Sequence, residues 1–174
     1  MKVVNSIIVS FLLVILVSCG GDNNYETFED PANGFKIDYP LDWDTTNLDV
    51  RMAFMARENF KDSTDMFGEG FSVSVFDNQG MSLQSIVDEN VKMTKLYFEN
   101  PEITEKKFTN DNDIACIQIE VIYQASGLHL SNTAVFVNHD HSLFTITLSA
   151  EVSKKENYET IFDDVINSLE WIEK

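Results

Sequence analysis

The side chains that could do chemistry are few and scattered. His139 and His141 stand two apart with Asp140 between them, a spacing that metal sites use when a hairpin brings in further donors. Asp62, Asp65 and Glu69 fall within one polar stretch, Glu58–Gly70, and could gather a loose divalent cation. Neither set comes with an identified third element such as a base or a closing ligand. Asp111 and Asp113 begin a calcium-loop spacing, but Ala115 and Cys116 stand where an oxygen ligand and the turn glycine belong. Asp42, Asp44 and Asp49 break down in the same way, with Asn47 in the glycine position. The chain holds no GxSxG, no HExxH and no Gly-rich phosphate loop, so it names neither a catalytic residue nor a cofactor. His129 alternates with Ser131 and Thr133 on a polar strand face and has no evident role as a base. A hydrolase would need carboxylates converging in a deep pocket, which spacing alone does not reveal.

Cys19 offers a different chemistry. Met1-Lys2 is a short positive start, and Val3–Val17 is an apolar run of 15 residues interrupted by Asn5, Ser6 and Ser10. That run is shorter than the roughly 20 residues of a membrane-spanning helix and has the length of a signal-peptide core. It ends in Leu16-Val17-Ser18-Cys19, a lipobox, in which small residues admit the signal peptidase and the thiol takes diacylglycerol. Residues 1–18 are therefore expected to be removed, and Cys19 to carry the membrane anchor. At about 0.8 kcal/mol per buried CH₂, two or three acyl chains hold a protein durably. Gly20-Gly21-Asp22-Asn23-Asn24 then reads as tether, which composition extends to residue 27. Gly20 directly after the cysteine points to the outer membrane, at its periplasmic face or the cell surface; the inner membrane is the alternative.

Loss of residues 1–18 removes Lys2 and no acid, leaving a net charge of −18. Such a surface repels nucleic acid and excludes that class of partner; it suits a basic partner, a cation, or solubility. With Cys19 occupied by lipid, Cys116 has no disulfide partner and is expected to be a packed thiol.

The elements that must position these residues alternate in period. Phe35–Tyr39 alternates strictly and ends at Pro40; strands are also expected at 50–57, 71–75, 103–109, 117–123, 128–137 and 143–150. Leu83, Ile86, Val87, Val91 and Thr94 follow helical spacing behind an N-cap at Ser82. Ile161, Phe162, Val165, Ile166 and Leu169 form a second helical stripe, opened by a capping box, Ser153-Lys154-Lys155-Glu156. Turn chemistry separates the strands at Asn110–Asp113, Ala125–Gly127 and Asn138–His141. The pattern predicts an α+β fold, an antiparallel sheet of six to seven strands flanked by two main helices. Phe144, Ile146 and Leu148 oppose Thr145, Thr147 and Ser149, with Ser72, Ser74, Gln118 and Glu120 assigned to the polar side. One face should then carry the helices; the other, mildly polar, is expected to be solvated, covered by the N-terminal segment, or a partner surface.

Phe28-Glu29-Asp30-Pro31-Ala32-Asn33-Gly34-Phe35-Lys36-Ile37-Asp38-Tyr39-Pro40-Leu41-Asp42-Trp43 resembles the opening of the PsbP-like family, where a Gly-Phe strand runs into a Tyr-Pro-x-x-Trp corner. The closing stretch from Tyr158 to Trp171 is similar to that family's ending. The resemblance implies one PsbP-like domain over residues 28–174 and a role in binding rather than catalysis. The same fold serves a photosystem extrinsic subunit, a nuclear import factor and bacterial envelope lipoproteins. It implies an accessory module for a membrane protein complex, with an envelope protein partner. The alternative is a small-ligand or divalent-cation binder using the 58–70 stretch or His139 and His141.

Overall fold

The computed structural model describes residues 24–46, 52–60 and 67–172. Ten strands and two helices follow in the order β1 (Tyr25–Asp30), β2 (Phe35–Pro40), β3 (Asp44–Thr46), β4 (Met52–Arg57), β5 (Gly70–Asp77), α1 (Leu83–Tyr97), β6 (Glu102–Thr109), β7 (Ala115–Ala125), β8 (Leu128–His139), β9 (Ser142–Glu151), α2 (Glu156–Ser168) and β10 (Glu170–Trp171). A seven-stranded sheet runs β3-β4-β5-β9-β8-β7-β6, antiparallel throughout. A small sheet, β1-β2-β10, packs beside it. The architecture is α+β, as the alternating pattern predicted.

The long meander β7-β8-β9 is drawn by strict period-2 alternation and two tight hairpins. Ser126 (φ 53°) and Gly127 (φ 82°) both take left-handed backbone, the twist-matched two-residue turn. At the other hairpin β8 runs on through His139, so the turn shrinks from four residues to Asp140-His141, with His139 opposite Ser142. Tyr25, Glu26 and Thr27, which composition assigned to the tether, belong to β1, paired with Pro40, Tyr39 and Asp38.

The two helices lie on opposite faces of the large sheet, not on one. Ile146 and Leu148 sit in the same cross-strand rows as Val135–Gln118 and Thr133–Glu120. Gln118 and Glu120 therefore share the face of Phe144, Ile146 and Leu148. That face meets α2 and the small sheet through Phe35, Ile37, Val73, Phe162 and Val165. Ile117, Ile119, Val121, Phe136 and Leu143 point the other way and pack on Val87 of α1. The apolar side thus inverts between β9 and β7, and β8 between them is apolar on both sides, as a strand buried twice must be. Ser72, Ser74, Thr145 and Thr147 lie on the α1 side beyond the helix and stay half-buried.

Cys116 packs in the α2-side core, donates to Ile114 O at 3.3 Å, and is held by burial at a pKa of about 11. Ser82 caps α1 as its position suggests, accepting from Ser85 N at 3.2 Å. The expected capping box on α2 does not form. The cap position is Lys155, in helical backbone, and both lysines reach outward to carboxylates instead: Lys154 to Glu69 at 3.2 Å and Lys155 to Glu120 at 2.5 Å.

Candidate functional site

A cleft of about 830 Å³ opens where β2 leaves the small sheet. Pro40 ends β2, and the chain turns tightly: Leu41 N donates to Asn24 O (2.9 Å) and Trp43 N to Pro40 O (3.1 Å). The turn leaves Leu41 and Asp42 exposed and drives Trp43 inward, its ring 6.2 Å from both Phe71 and Tyr158. Tyr158, Phe162, Val165 and Ile166 are the buried stripe of α2, spaced at the helical repeat. Ile161 and Asp164, one side of that stripe, line the cleft wall.

Two phenols close the floor and rim. Tyr158 donates its hydroxyl to Glu58 Oε2, and Tyr25 donates to Asp164 Oδ2 at 2.8 Å. Burial, followed by these carboxylates, pushes the Tyr25 hydroxyl up to about 12 and raises that of Tyr158 further. Both phenols are therefore protonated donors at neutral pH, not tyrosinate nucleophiles. Among the described residues, the cleft lining holds three carboxylates (Asp42, Glu58, Asp164), aromatic and aliphatic walls, and no basic side chain.

The residues singled out by sequence lie elsewhere. Glu69 is 1% exposed and does not face a cation loop. Its carboxylate takes Lys154 Nζ at 3.2 Å and Glu151 N at 3.4 Å. A carboxylate this deeply buried must be paired, and Lys154 from the β9–α2 connection supplies the charge. Asp62, Asp65 and Cys19 lie outside the described residues. His139 and His141 do line one pocket, of about 380 Å³, with Asn33, Asp140, Phe144 and Trp171. The His139 ring stacks on Trp171 with centroids 3.9 Å apart and planes 12° apart, and its Nε2 is 3.8 Å from Asp140 Oδ2. Among the described residues no group of three His, Cys, Asp or Glu side chains could hold a metal ion. His129 sits by a shallow pocket with Glu99, Glu102 and Tyr123.

Sequence reasoning located Trp43 at the core edge but missed Glu58 and Asp164 as cleft residues. The usable signal was the Tyr-Pro-x-x-Trp corner, since a buried tryptophan behind an exposed turn leaves a hollow beside it.

Residues 23–171 match the model of a known family. The chain belongs to the PsbP family. Solved structures share its fold. Cyanobacterial PsbP from Synechocystis superposes with a TM-score of 0.63 at 16% identity, over 90% of this chain and 98% of that one. A Pseudomonas aeruginosa protein described as a putative regulator gives 0.59 at 12% identity, over 87% and 99%. LpqN of Mycobacterium tuberculosis, involved in cell envelope biogenesis, gives 0.57 at 12% identity, over 87% and 94%. At these identities the PsbP relatives share a fold with this chain and nothing finer. No curated protein sequence matches it.

Proposed function

We propose that this PsbP-family protein is a lipid-anchored protein of the bacterial envelope, with no catalytic role. Its domain acts as an interaction module for a membrane protein complex and receives a basic segment of its partner in the Trp43 cleft. The observation that carries the reading is the place of the cleft: Asn24 is on its rim, five residues after Cys19. Five residues span at most about 18 Å, so an acylated Cys19 holds the cleft mouth beside the bilayer, within reach of a membrane protein. Asp42, Glu58 and Asp164 on the lining, in a mature chain of net charge −18, make a basic partner the complementary one. Gly20 after the lipobox supports an outer-membrane address.

The test is affinity capture of the full-length protein from solubilised membranes, beside Cys19→Ala and an Asp42→Lys/Asp164→Lys variant. A stoichiometric membrane protein held by the native chain and lost from the charge-reversed cleft is the expected result. Capture unaffected by charge reversal would remove the cleft from the account. Cys19→Ala remaining with the membrane fraction would remove the anchor.

A further inference from the structure

The seven-stranded sheet has two ends, and both expose large apolar side chains: Phe76 (42%) and Met81 (41%) at the far end, and more of them, more fully, at the first. One cross-strand row near the first end runs Asp44, Arg57, Gly70, Ser149, Asn132 and Val121. Asn24 and the β2–β3 turn adjoin this end, since Leu41, Asn24 and Glu58 line one cleft. The C-terminus of α1 reaches the same end: the Phe98 ring lies 4.1 Å from Tyr123, which pairs with Leu130 at the start of β8. The α1 N-terminus lies at the opposite end, where Asn138 Nδ2 donates to Met81 O at 3.3 Å.

Large apolar side chains stand exposed at the first end on three separate elements. Leu41 is 59% exposed on the β2–β3 turn, Phe60 is 51% exposed beyond β4, and Leu96 and Tyr97 are 71% and 77% exposed on the last turn of α1. They come from both faces of the sheet, spread across about five strand spacings, or roughly 24 Å. A patch so dispersed does not form one groove for a peptide, yet its members share one end, as contacts with a flat surface must. The tether from Cys19 enters the fold at that end, beside Leu41.

We propose that this end of the domain rests on the bilayer, with Leu41, Phe60, Leu96 and Tyr97 inserted among the headgroups of the membrane that holds Cys19. The inference rests on the anchor reading and adds an orientation to it. The long axis of the strands then stands away from the membrane, and the Trp43 cleft opens sideways along the surface. Protein-wide negative charge favours a zwitterionic headgroup layer over an anionic one. Four side chains on three separate parts of the fold fix the tilt of a domain that acyl chains alone would leave free to swing.

The test uses full-length acylated protein with a nitroxide at Leu41→Cys, Tyr97→Cys or Phe76→Cys. Phe76 is also exposed but pairs with Leu143 at the far end. Cys116 is buried and takes no label. The protein is bound to phosphatidylethanolamine–phosphatidylcholine vesicles, isolated by flotation, and read by collision with oxygen and with a water-soluble nickel complex. Labels at 41 and 97 should lie about 5–10 Å below the headgroup surface, with the label at 76 in water. Floating protein whose three labels are all in water overturns the orientation and leaves the anchor standing. Protein that does not float overturns both.

Discussion

Lys154 Nζ lies 3.2 Å from a Glu69 carboxylate that is 1% exposed, and 3.2 Å from Glu151 as well. One cation thus ties the end of β9 to the residue before β5, next to the carboxylate of Glu58 that Tyr158 holds. Of these groups, Glu58 and Tyr158 line the Trp43 cleft. Removing the cation by Lys154→Met leaves Glu69 buried with its charge uncompensated. Lys154 is one-third exposed, which screens part of the pair. The expected loss is about 2 kcal/mol, below the 3–5 kcal/mol of a fully buried pair. Glu69→Gln, which removes the buried charge itself, should cost less. Urea unfolding of both variants measures the order.

Asn110 is a second fixed point, binding four backbone groups. Its amide donates to Ile166 O (3.1 Å) and Leu169 O (3.2 Å), and its Oδ1 accepts from Asn112 N (3.0 Å) and Ile114 N (2.9 Å). It therefore both shapes the β6–β7 turn and satisfies the last carbonyls of α2, which a helix end leaves without partners. Asn110→Ala should destabilise by about 2–3 kcal/mol, since buried carbonyls and amides lose partners together. Asp111→Ala, on the exposed side of the same turn, should change stability by less than about 0.5 kcal/mol. Thermal unfolding of the pair checks the contrast.

High pH should weaken the domain through its hydrogen-bonded phenols. The Glu26 carboxylate, accepting the Tyr39 hydroxyl, raises that group to about 12; burial and Asp164 raise Tyr25 to about 12. Below pH 10 these phenols are protonated in both folded and unfolded chains, so their contribution is fully present. Between 10 and 12 only the unfolded chain loses the protons, and stability falls as pH rises. Chemical unfolding at pH 9, 10 and 11 should show this decline. It should be shallower in a Tyr25→Phe/Tyr39→Phe variant, with tyrosinate absorbance reporting ionisation directly.

What the sequence revealed of this fold was what local pattern determines. Phe35–Tyr39, Ile117–Tyr123 and Phe144–Leu148 alternate because one face of each is buried, and the turn residues between strands sit where positive φ is needed. Ser82 capped its helix for the same local reason. The arrangement of faces was not legible, because alternation within β7 or β9 carries no mark of which helix covers which side. Nor was the cleft. Tyr25 and Asp164 meet across 139 positions and Glu58 and Tyr158 across 100, distances that only the folded sheet closes. Glu69 was misread because a buried acid and a solvated one look alike in sequence until the lysine that neutralises it is located. Asn110 read as a turn residue, which it is, while its grip on α2 depends on packing 56 positions away.

The central claim, that the Trp43 cleft receives a partner at the membrane, is tested most directly by site-specific photo-crosslinking in living cells. A photoreactive residue replaces Ile161 on the cleft wall in one strain and Met81 at the far end of the sheet in another. The account predicts one discrete adduct with a membrane protein from position 161, lost with Asp42→Lys/Asp164→Lys and absent from position 81. No adduct at 161, or the same adducts from both positions, would contradict it.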